Sequence, residues 1–322
     1  MHQKKPSAPV LPASGRDNDL SEATSWTKQT ELRYNQIELE TSRIASYREY
    51  QEYVLRMRDE HSRRARHEKR CIISDEPFAL PGVCYVCKKD VSFSVGYSYS
   101  YISNDVLTPN WREHLICPSC GLNNRMRASI HLFEQLLKPT PFARIYILEQ
   151  TTPLYRWLSK QYWDVTGSEY LGDTVAPGKK NAQGIRNESI TLLTFPDRFF
   201  DVILSFDVFE HISDFQKAFA ECCRVLSPGG QLLFTVPFEP RSEKNIVRAI
   251  VKDTGIIEHL LPPEYHGDPI NAEGCLAFYR FGWEILDQLK QAGFAAAFAH
   301  AYWSHEFGYL GDDQMAFIAK KG

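Results

Sequence analysis

No stretch of the 322-residue chain approaches the roughly 20 consecutive apolar residues that a membrane-spanning helix needs. The opening residues, MHQKKPSAPVLPASG, contain basic side chains but no apolar core. A secretory leader is therefore not expected, and a cytoplasmic location is. Net charge is nearly absent too: the formal value is −3, which argues against a chain that coats nucleic acid through bulk charge. No G-x-G-x-x-G follows any apolar run, which argues against a nicotinamide-dependent oxidoreductase. What remains is ordinary: 43% apolar and 24% charged residues, in a length that suits about two domains.

Local composition divides the chain into four stretches. Residues 1–25 mix Pro, Ser, Gly and charge without periodicity and read as a disordered tail. From Trp26 to Arg70 there is neither Pro nor Gly, and Ile37, Ile44, Tyr47 and Val54 fall near one helical stripe. One long helix, or two broken ones, is expected over 26–70, offering a partner helix or a second copy of the chain a contact surface. The stretch ends in RMRDEHSRRARHEKR, with seven Lys/Arg against three acids, a solvated face or a phosphate-binding one. Residues 71–130 carry paired cysteines. From 131 to 322 the pattern becomes α/β. RIYIL, WDVTGS, FDVILSF and GQLLFTVPF read as strands, and LYRWLSKQ and FQKAFAECCRVL as helices. After an irregular stretch (239–277) comes a helix, GWEILDQLKQAG, and then AAAFAHAYW and QMAFIAKK, which read as a terminal antiparallel pair.

Four of the eight cysteines form two C-x2-C knuckles, Cys84/Cys87 and Cys117/Cys120, separated by 29 residues. Two such pairs can close a tetrahedral Zn²⁺ site, with every position filled by protein and none left for water. A structural zinc is the expectation, and a redox disulfide pair is the alternative. The knuckles would then position what surrounds them, including Arg112, Arg125 and Arg127. Cys71, Cys222, Cys223 and Cys275 read as buried apolar residues.

The most informative stretch runs from FPDRFFDVILSFDVFEH through FQKAFAECCRVLSPGGQLLFTVPF, residues 195–238. A strand leads to an acidic tip, a helix, a Pro-Gly-Gly turn and a second apolar strand. Glycine suits the turn because it tolerates positive φ. This ordered set resembles the class I S-adenosylmethionine-dependent methyltransferases, type 11 in particular, over about residues 140–320. The resemblance implies a Rossmann-like sheet of seven strands, the last antiparallel, with the cofactor at the carboxyl ends of its strands. It places Glu169 at the end of the second strand, accepting both ribose hydroxyls, with Tyr170 beside it. Ser189 and Ile190 match the positions that contact adenine. Phe206 and Asp207 match the tip of the fourth strand, beside the reacting methyl, and Glu210-His211 matches the "EH" that follows.

The first turn departs from the family pattern. The run RIYILEQTTPLYRW has no glycine, and Glu149, Gln150 and Thr151 occupy the turn. The chain is similar to a subgroup combining CPxCG, a following R-x-R and a glycine-poor first turn. That likeness implies Glu149 and Thr151 near the amino-acid portion of the cofactor.

Methyl transfer needs an in-line nucleophile, and a hydroxyl nucleophile must lose a proton, for which histidine is well tuned. His211 and His266 are the candidates. His266 lies in PPEYHGDPIN, where Asp268 is close enough in sequence to orient it. O-methylation of a sugar-like or other small-molecule hydroxyl is the expected reaction. An RNA methyltransferase using the basic helix, and a non-enzymatic scaffold assembled through the helical segment, are the alternatives.

Overall fold

The computed structural model describes residues 39–103, 105–267, 270 and 273–322. Residues 1–38, including the expected disordered tail and Ile37, lie outside that set. Short apolar runs separated by amphipathic segments build one seven-stranded sheet. Its strands are β1 (Thr41–Ile44), β6 (Arg144–Ile147), β7 (Asp164–Gly167), β8 (Phe200–Phe206), β9 (Leu226–Thr235), β16 (Phe294–Ser304) and β17 (Tyr309–Lys321), in the order β1-β16-β17-β9-β8-β6-β7. Strands β7, β6, β8 and β9 are mutually parallel, and β17 pairs antiparallel with both β9 and β16.

The sheet contains the expected seven strands, but one comes from an unexpected place. Residues 41–44 form strand β1, antiparallel to β16, rather than helix. Helix α1 (Tyr47–Cys71) begins only after Ser46. The reason is local. Ser46 Oγ accepts from Glu49 N at 3.2 Å, and Glu49 Oε2 accepts from Ala45 N at 2.8 Å. This S-x-x-E arrangement, in which the glutamate takes the amide just before the capping serine, starts a helix, and a sequence reading based on the absence of Pro and Gly overlooks it.

The apolar side of α1 covers the sheet of its own chain. Tyr50 lies 5.0 Å from the Trp283 ring, and the Tyr53 hydroxyl donates to Asp313. The basic end is partly consumed in the same packing. Arg64 pairs with Glu60 and Asp313 and lies over the Trp303 ring.

Helix α3 (Pro153–Gln161), helix α4 (Phe215–Val225) and strand β8 fall where their periodicity places them. In α4, Phe215, Ala218, Phe219 and Cys222 recur at helical spacing and are all buried, while Asp214 caps the first turn through Lys217 N. The Pro-Gly-Gly segment enters β9 with Gly229 at φ +75°. Helix α5 (Ile285–Gln291) packs against β16. Among the described residues, the irregular stretch holds five short strands, β10 (Ile246–Val247), β11 (Ala249–Val251), β12 (Ile257–His259), β13 (Tyr265–His266) and β14 (Cys275–Leu276), and β15 (Tyr279–Arg280) follows just after it.

The cysteine module consists of hairpin β2 (Phe78–Cys84) and β3 (Lys89–Val95), the small hairpin β4 (Tyr101–Ser103) and β5 (Val106–Thr108), and the second knuckle. It has its own core around Phe93, Trp111 and Leu115, all nearly inaccessible. Helix α2 (Asn124–Leu132) crosses the boundary drawn at residue 130 and joins the module to the sheet. Arg127, fully buried, stacks 3.9 Å from the Phe93 ring centre and donates to the carbonyls of Phe307 and Leu115. Arg127 is therefore a structural peg between module and sheet. No helix among the described residues is long and apolar enough to cross a membrane.

Candidate functional site

In an open parallel sheet, ligands collect where successive connections leave a strand in opposite directions. Strand β6 is that point here, because β7 lies on one side of it and β8 on the other. The glycine-free turn follows β6 directly. It is closed by a carboxylate: Glu169 Oε1 accepts from Gln150 N at 2.7 Å, Thr151 N at 2.9 Å and Thr151 Oγ1 at 2.8 Å. Glycine appears instead at the end of β7. A Cβ on Gly167 would lie 2.8 Å from the Glu149 carbonyl oxygen and 2.6 Å from the Tyr155 ring, closer than packing allows. Gly167 thus lets the end of β7 pack directly against the first turn.

Glu149 sits at the centre of this arrangement. Its Oε1 is buried with no hydrogen-bond partner among the described residues. Burial pushes its carboxyl up from 4.5 to about 7, against a hydrogen bond from Thr152 and the charge of Arg125. Such a group is matched to a ligand bearing a cation. Ser189 follows the segment bridged to Glu169 and pairs through its hydroxyl with Thr191 at 3.0 Å. Tyr170 is 69% exposed, leaving its ring available to a flat ligand, whereas Ile190 is 7% exposed and packs into the core. Phe206 is likewise buried.

Asp207 adopts a left-handed backbone, φ +55°, a conformation few non-glycine residues hold without surrounding support. The support comes from the cysteine module. Arg112 Nη2 lies 2.8 Å from both Asp207 oxygens, Arg125 Nε is 3.3 Å away, and Thr235 Oγ1 donates at 2.8 Å. Glu113 bridges the two arginines. Burial opposes ionisation of Asp207, but the two guanidinium groups prevail and hold its carboxyl well below the usual range. The R-x-R after the second knuckle signalled one of these arginines. Glu113 and Thr235 carried no sequence signal.

The four knuckle cysteines converge. Cys84 and Cys120 sulfurs are 3.9 Å apart and those of Cys87 and Cys117 are 3.8 Å apart, with all four inside 4.8 Å of one another. Sulfurs bound to zinc at about 2.3 Å stand ~3.8 Å apart along the edges of a tetrahedron. A disulfide requires about 2.05 Å, so the arrangement has the spacing of a metal nest. The Cys84 thiol and the Leu122 amide, pointing at Cys120, lower its pKa, against burial.

His211 and His266 meet beyond the end of β8. Their ring centres are 4.9 Å apart, and each faces Glu210 Oε1 at 3.5 Å. Glu264 lies 3.2 Å from His266 Nε2. Asp268, the expected orienting partner, lies outside the described residues, and the carboxylates seen beside His266 are Glu210 and Glu264.

Part of this region is similar in sequence to known proteins. Residues 151–234 match the methyltransferase domain family. A Mycolicibacterium smegmatis protein named "Probable S-adenosylmethionine-dependent methyltransferase" is 42% identical over 75 residues, which are 23% of this chain. The chain spans 29% of the length of that curated relative. An S-adenosylmethionine-dependent methyltransferase from Mesorhizobium loti aligns with a TM-score of 0.41 and 16% identity, over 63% of this chain and all of that one. A Burkholderia thailandensis 1,6-didemethyltoxoflavin-N1-methyltransferase aligns at 0.35 and 15%, over 61% of this chain and 77% of the other. The stretch from α3 to β9, which builds much of the site, is therefore similar in sequence to the methyltransferase domain family.

Proposed function

We propose that the chain transfers a methyl group from S-adenosylmethionine to a hydroxyl of a small-molecule or glycan acceptor. The observation that carries this reading is the turn after β6, where a buried carboxylate with an unpartnered oxygen, Glu149, lies beside the Glu169-closed loop. Glu149 would take the cofactor's ammonium group, Glu169 its ribose hydroxyls, and Ser189 with Tyr170 its adenine edge and face. S-Adenosylmethionine supplies an electrophilic methyl carbon. The acceptor oxygen forms the new C–O bond as the C–S bond breaks, a thioether leaves, and one proton departs from the hydroxyl. Glu210, His211 and His266, next to the β8 tip, are the groups placed to promote that proton loss.

In this reading the cysteine module is a positioning device. Zinc on Cys84, Cys87, Cys117 and Cys120 would fix the loop between the knuckles, and with it Arg112, on Asp207. The four thiols suit the reducing cytoplasm. Calorimetric titration with S-adenosylhomocysteine tests the cofactor assignment, and absence of binding would overturn it. His266→Ala is expected to lower turnover about 10²–10⁴-fold, the usual contribution of a group that handles a proton, with little change in cofactor affinity. If the variant instead raised KM and left kcat intact, His266 would be a recognition residue.

A further inference from the structure

We propose that Glu210, His211 and His266 form a second metal site, one that holds a divalent cation through two imidazoles and a carboxylate. Glu210 is completely inaccessible to solvent, and neither of its carboxylate oxygens has a hydrogen-bond partner among the described residues. A buried carboxylate in that condition is costly unless a cation meets it. Two ring nitrogens face it, His211 Nε2 and His266 Nδ1, each 3.5 Å from Oε1. That is too long for a hydrogen bond, which spans about 2.7–3.2 Å. It suits two ligands sharing one ion, since metal bonds of about 2.0–2.2 Å put tetrahedral neighbours ~3.4 Å apart.

The outer contacts point the same way. His211 Nδ1 lies 2.9 Å from the Leu276 carbonyl oxygen, which can only accept, so that nitrogen carries the proton and Nε2 presents its lone pair to Glu210. His266 Nε2 lies 3.2 Å from Glu264 Oε1, which places a proton on that nitrogen, so in the neutral ring that binds a metal the Nδ1 lone pair points inward. Glu264 is itself held by Arg248 at 3.1 Å. Both imidazoles thus have the outward hydrogen bond, one to a backbone carbonyl and one to a carboxylate, that orients metal-bound histidines. With both rings neutral, the interior contains two nitrogen lone pairs and a carboxylate, all acceptors for a cation.

Two nitrogens and an oxygen are borderline ligands, suited to Zn²⁺, Co²⁺ or Mn²⁺ rather than to Ca²⁺. Three protein ligands leave a coordination position open, in contrast to the closed cysteine site. Resting on the methyltransferase reading, the open position is where the acceptor oxygen binds. Coordination acidifies the hydroxyl, its proton passes to water, and the oxygen attacks the methyl carbon. The histidines then assist proton loss as ligands rather than as free bases.

The test is metal stoichiometry of the full-length protein. It is dialysed free of loosely held metal, then equilibrated with Co²⁺ and, separately, with Zn²⁺ and Mn²⁺. The wild type should bind one equivalent beyond that of the cysteine cluster. With Co²⁺ that extra equivalent should show weak visible bands without sulfur-to-metal charge transfer. His266→Gln and His211→Gln should lose it while keeping the cysteine-bound equivalent and an unchanged circular dichroism spectrum. Glu210→Gln should lose it too; should that buried change prevent folding, the part-exposed His266 decides the matter. A wild type that never exceeds the cysteine-bound equivalent would overturn the site, and would mean that imidazolium protons neutralise Glu210. Retention of the extra equivalent in both histidine variants would overturn it equally. Cofactor titration on the same samples separates the two proposals. A second metal without cofactor binding sinks the methyltransferase reading alone, and cofactor binding without a second metal sinks the site alone.

Discussion

Replacing Glu149 by Gln tests the proposed cofactor site, because the shape is kept and only the charge is removed. Burial raises the folded-state pKa of Glu149 to about 7 from an ordinary 4.5. The fold therefore holds a proton there that the unfolded chain releases between those values. This contribution to stability is complete below pH 4.5 and disappears as the pH rises through about 7. A shift of that size corresponds to an upper bound of about 3 kcal/mol, at ~1.4 kcal/mol per unit. Glu149→Gln removes the titration, so the variant should be more stable than wild type at pH 8 and gain little at pH 5. Cofactor binding should respond oppositely. An ammonium group needs the ionised carboxylate, so wild-type affinity should rise with pH through about 7, and the variant should bind weakly at every pH. Thermal melts and calorimetric titrations at pH 5 to 8 measure both effects. Parallel stability profiles for the two proteins would refute the buried-carboxylate argument. Unchanged affinity in the variant at pH 8 would refute the ammonium assignment.

Glu169→Ala should weaken cofactor binding by about 1–3 kcal/mol, the range for hydrogen bonds to a charged group. Because Glu169 also closes the turn, backbone amide exchange at Gln150 and Thr151 should accelerate. Arg125→Ala leaves Asp207 with one guanidinium instead of two and should destabilise the protein by up to about 3–5 kcal/mol, as read from denaturant unfolding. Protein purified without chelator should contain zinc on its cysteine cluster, and Cys117→Ser should lose that equivalent whatever the Glu210–His211–His266 site holds; a zinc content near zero in wild type would end the cysteine-site assignment. Gly167→Ala pushes a methyl group onto the Glu149 carbonyl and the Tyr155 ring, and should cost roughly 1–3 kcal/mol of stability.

Strand β8 and helices α3 and α4 could be read from the sequence because the signals that make them act within a few residues. Alternation of apolar side chains, a cap three residues from its acceptor and a glycine turn need no distant partner. The paired C-x2-C knuckles were legible for the same reason, since each pair is a local turn. Strand β1 was not. Thr41–Ile44 becomes strand only because the edge of β16 is there to pair with it, and Ser46 with Glu49 then starts the helix. The candidate site divides along the same line. Glu149, Glu169 and Asp207 stood out by position as candidates, but the ionisation of Asp207 is set by residues far away in the chain. Arg112 reaches Asp207 across 95 positions, and Arg125 meets it from the far side of the second knuckle. Likewise, the sequence placed His266 in a loop beside Asp268. Only the tertiary structure brought it against Glu210, because desolvation and charge depend on what surrounds a group in space rather than on its neighbours along the chain.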